Sequence, residues 1–211
     1  TVRTIEGPLY VAGAPEEKGF ARLDDGTDID NGTVLFMQGT VYGENGKPLP
    51  NAKVEVWHAN SLGNYSFFDE SQSHFNLRRS IITDENGNYA FRSIVPLGYS
   101  VPPEGMTQKV LGALGRHGHR PAHIHFFASA DGHRKLTTQI NIDGDEYLWD
   151  DFAFASREGL VPEVTMVEDA DKLKEKALDK PYASIDFDFH LVKDIDQAVQ
   201  GSEVERRRAQ G

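Results

Sequence analysis

Residues 122–142 read AHIHFFASADGHRKLTTQINI, two alternating segments that flank a tight turn. The segments 122–129 and 135–142 predict a pair of β-strands, and Asp131-Gly132 supplies the turn between them. Because side chains alternate along a strand, the apolar residues of the second segment share one face and its polar residues share the other. This stretch therefore predicts a β-hairpin with one face in a hydrophobic core.

The same texture extends along most of the chain, as short alternating segments separated by Gly, Asn and Asp. Further strands are predicted at 34–42, 52–58, 88–92 and 184–192, and one helix is predicted at about 168–178. Many short strands with regular turns indicate a mostly-β sandwich or barrel-like domain with one or two short helices. We expect a single domain over residues 1–195 and a polar, disordered tail over 196–211.

Composition excludes several classes of function. The chain has 211 residues, a formal net charge of -11 and no cysteine. The acidic balance argues against a nucleic-acid partner or an anionic membrane. Without cysteine there are no thiolate metal ligands or cysteine nucleophiles. No apolar run approaches the roughly 18 residues of a membrane span.

The pair His123 and His125 is the strongest sign of chemistry. Two residues apart on a strand, the imidazoles point to the same face and can bind one metal ion if further ligands are present. Tyr65 and Tyr99, each in an irregular Gly-containing segment, are candidates because phenolate is a hard ligand that suits ferric iron. The alternatives are hydrogen-bonded core histidines and tyrosines that only pack.

The remaining histidines give weaker signals. His117 and His119 lie between glycines in a predicted loop, and we expect neither to be a ligand. His58, like the other isolated histidines, has no partner pattern and is expected to have a surface or core role. Arg120 lies three residues before His123, where it is either a surface charge or a cation that stabilises an anionic substrate.

Five motifs together resemble the intradiol ring-cleavage dioxygenases, in the order and with the spacing of that family. They are IEGPLY at 5–10, VWHAN at 56–60, LGNYS at 62–66, PLGYSVPPEG at 96–105 and RPAHIHFF at 120–127. The resemblance covers residues 1 to about 192. Within the family it is greatest to the enzymes that cleave catechol itself.

The resemblance implies one non-haem Fe(III) ion per chain. Its ligands would be Tyr99 and His125 as the axial pair, with Tyr65 and His123 in the equatorial positions. It also implies that Arg120, together with Gln139, lies beside the reacting ring, and that Tyr99 takes up a substrate proton. The residues that match the family's substrate pocket are Ile5, Pro8, Leu9, Phe152 and Ala153.

The implied reaction is the cleavage of catechol by dioxygen to cis,cis-muconate, in a cytoplasmic enzyme of aromatic catabolism. Chlorocatechol, hydroxyquinol and, more remotely, protocatechuate are the alternative substrates. A carboxylated substrate would need an extra cation, whereas the matched pocket positions offer apolar residues and Arg120. Catechol is therefore the expected substrate.

The enzymes that cleave catechol carry an N-terminal helical segment before this β domain, which forms their homodimer interface and part of the pocket wall. This chain has no such segment ahead of its first family motif, at residues 5–10. We therefore expect an isolated catalytic domain and do not carry the homodimer over to it.

A function without catalysis is a second interpretation. The stretches GTVYGENGKPLPNAKVEVW and TDENGNYAFRSI also resemble transthyretin-like β-sandwich modules, which serve as binding or spacer domains. Fold alone does not separate the two functions. The discriminating feature is whether Tyr65, Tyr99, His123 and His125 come together, because a spacer domain does not require it.

Overall fold

The strands dominate the computed structural model, which describes residues 1–28 and 30–194. Within these residues there are thirteen strands, two α-helices and a 3₁₀ helix at Glu158–Leu160. The strands are β1 Glu16–Lys18, β2 Phe20–Arg22, β3 Val34–Tyr42, β4 Lys53–His58, β5 Arg78–Ile82, β6 Asn88–Ile94, β7 Tyr99–Ser100, β8 His119–Arg120, β9 His123–Ser129, β10 Leu136–Asn141, β11 Thr165–Val167, β12 Tyr182–Asp186 and β13 Phe189–His190. The helices are α1 Met106–Ala113 and α2 Ala170–Glu175. The predicted tail at 196–211 lies outside the described residues.

The strands form two main sheets and a small ribbon. The first sheet has the order β1-β5-β4-β9-β10. The second has the order β11-β12-β3-β6-β2, and β13 also pairs with β3. The ribbon joins β7 to β8, with Tyr99 opposite Arg120. Strands β9 and β10 are antiparallel, and their register places Gln139 opposite His125.

The hydrophobic core lies between the two main sheets. Phe126 of the first sheet contacts Phe91 and Phe189 of the second, with ring centroids 6.4 Å and 5.0 Å apart. All three rings are fully buried. Burial of such large aromatic side chains stabilises the fold by roughly 1.5–3 kcal/mol each. The predicted mostly-β domain with one or two short helices is confirmed, as a sandwich with two helices.

Strand β9 is buried on both of its faces. Ile124, Phe126 and Ala128 belong to the core between the sheets. The alternate residues point to the outer face, where Phe127 packs with Trp57 and Tyr65 in a second, smaller cluster. That outer face is also where His123 and His125 lie, because they share the alternation of Phe127.

Several elements differ from the sequence-based expectation, among them strand β5 and the short strands, and for three of them the structure gives a physical reason. The strand predicted at 184–192 is interrupted between β12 and β13, where the backbone of Phe187 passes directly over Gly39. Helix α2 is shorter than predicted, and its N-cap is Asp169, whose carboxylate accepts hydrogen bonds from the N–H groups of Asp171 and Lys172. Helix α1 was not expected, because its N-cap is Gly105 and no side chain caps it.

Gly39 should tolerate no side chain. A Cβ added there would overlap the carbonyl group of Phe187, whose backbone atoms cannot rotate away. We expect Gly39→Ala to lower the free energy of unfolding by about 1–3 kcal/mol, the usual cost of overpacking. Urea denaturation followed by circular dichroism measures it.

The matched control is Gly112→Ala, at a helical position where an added Cβ meets nothing within 4 Å. This variant should be neutral or stabilised by up to about 1 kcal/mol, because alanine is the better helix former. Equal stability of the two variants would contradict the proposed close contact at Gly39.

Candidate metal centre

The two histidines of β9 face each other at the centre of the site. The Nε2 atoms of His123 and His125 are 3.0 Å apart, and both side chains are buried. The Nδ1 of His123 lies 2.6 Å from the carbonyl oxygen of Pro121. A carbonyl can only accept, so Nδ1 donates and the Nε2 of neutral His123 presents its lone pair to the site.

Tyr65 lies in the loop that follows β4. The side-chain oxygen of Asn60 accepts hydrogen bonds from the N–H groups of Leu62 and Asn64, and these bonds fix the turn before the tyrosine. The hydroxyl of Tyr65 then comes to 3.5 Å from the Nε2 of His123. Its ring is buried.

Arg78 anchors the other side of this loop. Its buried guanidinium donates to the hydroxyl and carbonyl oxygens of Ser66, next to Tyr65, and to the carbonyl oxygen of Leu9. Burial lowers the pKa of Arg78 to about 10, so it stays a cation at neutral pH. Reasoning from the sequence missed this residue, because its partners, one hydroxyl and two backbone carbonyls, are 12 and 69 residues away.

Tyr99 approaches the histidine pair from the opposite side. Its segment packs closely against the loop of Tyr65 at Gly63. The rings of Tyr65 and Tyr99 meet edge to face with centroids 5.7 Å apart, and Tyr99 lies at the same centroid distance from His123. At Gly63 an added Cβ would lie 3.0 Å from the carbonyl oxygen of Gly98 and 3.1 Å from Tyr99 Cβ. Gly63 also has φ +82°, which favours glycine. Glycine at position 63 therefore lets the two loops come together, whereas Gly98 lets the Tyr99 segment approach the carbonyl oxygen of Arg120.

The donor set fits a hard, highly charged cation. Among the described residues, no three His, Cys, Asp or Glu side chains come together as a metal site, so the histidine pair depends on other ligands. The two tyrosines beside it supply phenol oxygens, which bind ferric iron as phenolates. All four predicted ligands are thus brought together, as a metal-binding function requires and a spacer domain does not.

Burial sets the protonation states of the site. Burial lowers the pKa of His123 to about 3 and that of His125 well below its usual range, so both are neutral at pH 7. Burial also raises the pKa of Tyr65 well above 10, and the neighbouring Tyr99 adds to this rise. Tyr65 can therefore ionise at neutral pH only if a cation at the site compensates its charge.

His125 is oriented by stacking. The ring of Trp57 lies parallel to that of His125, with centroids 4.9 Å apart and an interplanar angle of 5°. In contrast to His123, the Nδ1 of His125 has no hydrogen-bond partner among the described residues. The indole therefore takes over the orienting role that a backbone carbonyl has for the other histidine.

Arg120 is the centre of a buried polar network. Its guanidinium donates to His123 Nε2 at 3.1 Å, to Gln139 Oε1 at 3.0 Å and to both carboxylate oxygens of Asp151 at 3.2 Å. Burial lowers the pKa of Arg120, but the hydrogen bonds and charges of Asp151 and Tyr99 together outweigh it and the pKa is raised. The sequence alone did not indicate Asp151, because its neighbour Asp150 is also an aspartate and nothing in the local sequence distinguishes the two.

A cavity of about 620 Å³ opens beside these residues. Its wall contains Tyr65, Tyr99, Arg120 and all five residues predicted for a substrate pocket, namely Ile5, Pro8, Leu9, Phe152 and Ala153. The wall is mostly apolar. Behind it lie the two histidines and Gln139, which is fully buried. The size suits a single aromatic ring with room for neighbouring solvent.

The other histidines have structural roles. His119 is part of β8 rather than of a loop, its ring stacks on Tyr147 with an interplanar angle of 7°, and its Nδ1 lies 2.6 Å from the hydroxyl oxygen of Ser100. His117 Nε2 lies 3.0 Å from a carboxylate oxygen of Asp150.

In the described part of the chain, neither helix is long and apolar enough to span a bilayer.

Comparison with known proteins identifies the family. A family model described as "Dioxygenase" matches residues 5–193. Catechol 1,2-dioxygenase 2 of Acinetobacter lwoffii is 73% identical over 168 residues, which cover 80% of this chain and 60% of that protein. The chain belongs to the intradiol dioxygenase family.

Solved structures and more distant members agree. The crystal structure of wild-type catechol 1,2-dioxygenase from Acinetobacter radioresistens superposes with a TM-score of 0.90 at 61% identity, covering 92% of this chain and 63% of that one. A hydroxyquinol 1,2-dioxygenase from a Rhizobium species is 36% identical over 193 residues, which cover 90% of this chain and 64% of that dioxygenase. The chain thus spans less than two thirds of the length of these intradiol dioxygenases.

Buried His58, on β4 next to Trp57, should make the stability depend on pH. Its ring nitrogens lie 2.6 Å from Ala59 O and 2.6 Å from Ser93 Oγ, and burial lowers its pKa to about 4. In the unfolded chain the pKa is about 6.5. Between these values the unfolded state binds more protons, so stability falls as the pH drops from about 6.5 to 4.

The metal-free wild type should lose stability between pH 7 and pH 5. We expect this loss to be about 2 kcal/mol smaller in the His58→Gln variant. Urea denaturation at the two pH values measures it. Parallel pH dependence of wild type and variant would show that His58 is not held neutral by the fold.

Proposed function

We propose that the chain is the catalytic domain of a catechol 1,2-dioxygenase, which cleaves catechol with dioxygen between the two hydroxyl-bearing carbons and yields cis,cis-muconate. The observation that carries the proposal is the convergence on His123 Nε2, with His125 Nε2 at 3.0 Å and Tyr65 Oη at 3.5 Å, next to an apolar cavity. Membership of the intradiol family supports the same reaction.

The family implies a non-haem iron, and we assign one ferric ion per chain to Tyr65, Tyr99, His123 and His125. Two phenolates and two neutral imidazoles suit Fe(III), because hard anionic oxygen ligands stabilise the higher oxidation state. When bound, ferric iron supplies a Lewis acid that favours the doubly ionised form of catechol.

The chain's own residues then orient the substrate and handle charge and protons. Phe152 and Ala153 form the apolar wall against which the ring packs. Arg120 places a permanent positive charge at the inner end of the cavity, where it stabilises negative charge that develops on the substrate. With iron bound, Tyr99 would be ionised, and its phenolate Oη would accept a proton from a catechol hydroxyl and become the neutral phenol. Gln139 holds Arg120 through its Oε1.

Unsubstituted catechol is the substrate that the cavity favours. Of the described residues in its wall, Arg120 is the one cation, and its Nη1 lies at the proposed metal centre, 3.1 Å from His123 Nε2. A further carboxylate group on the ring, as in protocatechuate, would be buried against the apolar wall without a second cation as its partner. The high identity to catechol dioxygenases supports catechol over hydroxyquinol, whose dioxygenase is the more distant relative.

The test of this function is the visible absorption spectrum of the aerobically purified protein, before and after the anaerobic addition of catechol. We expect a broad tyrosinate-to-iron charge-transfer band that shifts when catechol binds. The Tyr65→Phe variant should weaken this band, whereas the matched control Tyr42→Phe, a tyrosine stacked on His190 instead, should keep it.

Iron-loaded protein that stays colourless with catechol would refute the assigned ligands. Turnover assays with catechol, 3-chlorocatechol and hydroxyquinol then identify the substrate. A higher kcat/KM for either substituted ring would identify that compound, instead of catechol, as the substrate and would leave the ligand assignment intact.

The homodimer of longer family members stays a prediction for a protein that includes the additional N-terminal segment.

Tyr99→Phe should separate catalysis from metal binding. Because the variant loses the oxygen that accepts the substrate proton, we expect kcat to fall by about 10²-fold or more, the range of general base catalysis. Three proposed ligands remain, so iron content should fall much less. Steady-state oxygen uptake and iron analysis measure the two effects. Loss of iron in proportion to loss of rate would contradict the role of Tyr99 as a base.

A further inference from the structure

Asp151 makes an unusually complete set of contacts for a buried carboxylate. Oδ1 accepts hydrogen bonds from Arg120 Nε at 3.2 Å and from the backbone N–H of Ala153 at 3.0 Å. Oδ2 accepts from Arg120 Nη2 at 3.2 Å and from the N–H of Ala155 at 3.1 Å. The residue is 4% exposed. One carboxylate therefore binds a guanidinium on one side and a turn of backbone on the other.

The backbone held by Asp151 is a wall of the cavity. Phe152 and Ala153 both line it. The same segment is joined to the strand that carries Arg120, because Phe152 N–H donates to His119 O at 3.2 Å and Arg116 Nη2 donates to Phe152 O at 2.9 Å. The pocket wall and Arg120 thus form one hydrogen-bonded unit.

The geometry of the guanidinium gives this contact a consequence for the site. The group is planar and rigid, so fixing Nε and Nη2 also fixes the direction of Nη1. Nη1 is the nitrogen that lies 3.1 Å from His123 Nε2, at the proposed metal centre. Gln139 holds Nη2 through a single contact and cannot define this plane alone.

We propose that Asp151 is a positioning residue of the proposed dioxygenase, which fixes Arg120 Nη1 toward the reacting ring and locks the Phe152–Ala153 wall to it. This inference rests on the function proposed above. Asp151 acts through Arg120 and does not touch substrate. Preorganised donors contribute most when they need no rearrangement as charge develops, and this pairing provides such an arrangement.

The alternative is an ion pair that only stabilises the fold. Buried ion pairs are weak evidence for a stabilising role, because desolvation offsets much of their attraction. Asp24 provides a matched control, since its carboxylate is also buried and pairs with Arg22 at 2.7 Å and Arg92 at 3.6 Å, away from the cavity. Asp24→Asn should lower thermal stability and leave kcat and KM unchanged.

In Asp151→Asn, an amide oxygen at the Oδ1 position can still accept from Ala153 N–H and Arg120 Nε, but the amide nitrogen would face the donors Arg120 Nη2 and Ala155 N–H. We expect kcat to fall about 10- to 100-fold, as for other partners that orient groups around a metal. KM should change less than about 3-fold, because the lost interaction matters for charge formed during the reaction.

A double-mutant cycle tests whether Asp151 acts through Arg120. In an Arg120→Lys background the planar guanidinium is already absent. There, Asp151→Asn should lower kcat by less than about 3-fold. Full additivity of the two losses, or an unchanged kcat in Asp151→Asn, would overturn the proposal. A KM increase without loss of kcat would also overturn it.

A readout on the metal-free protein separates this inference from the proposed function. The Arg120 Nε–H resonance, assigned by its disappearance in Arg120→Lys, should exchange slowly with solvent in wild type and at least about 10-fold faster in Asp151→Ala, which removes both carboxylate oxygens. Equal exchange would refute the positioning role even if the wild type cleaves catechol. If the wild type binds no iron and cleaves no catechol, the proposed function fails, and faster exchange would still show that Asp151 holds Arg120.

Discussion

Strand β9 has to satisfy two environments at once, and the rest of the site depends on how it does so. Ile124, Phe126 and Ala128 fill the core between the sheets, whereas His123 and His125 occupy the opposite face. Because alternation is strict along a strand, a shift in register by one residue would exchange the two sets. The register with β4 and β10 therefore fixes the position of both histidines before any ligand is bound.

Much of this arrangement could be predicted from local pattern. The hairpin of β9 and β10 follows from alternation and the turn at Asp131-Gly132, and β3 has the predicted bounds. The histidine pair was recognised from its i, i+2 spacing. The two tyrosines, by contrast, were assigned as ligands only through the resemblance to the family, because spacing does not reveal that Gly63 lets their loops meet.

The features that the sequence did not reveal depend on contacts between distant segments. The break near Phe187 is caused by the crossing over Gly39, and nothing in the alternation of 184–192 indicates it. Helix α1 lacks a capping side chain and so gives no start signal. Asp151 and Arg78 bind partners that are 31 and 69 residues away, and their neighbours in sequence carry no sign of this.

The proposed ligands and the five residues predicted for the substrate pocket come from different segments of the chain. Tyr65, Tyr99 and the histidine pair lie between residues 65 and 125, whereas the five pocket residues lie at 5–9 and 152–153. Evolution could therefore alter the preferred ring substituents without disturbing the metal shell. The stretch at 5–9 is the freer of the two for such change, because the 152–153 stretch shares Asp151 with Arg120, and altering it would also affect the rate of the reaction.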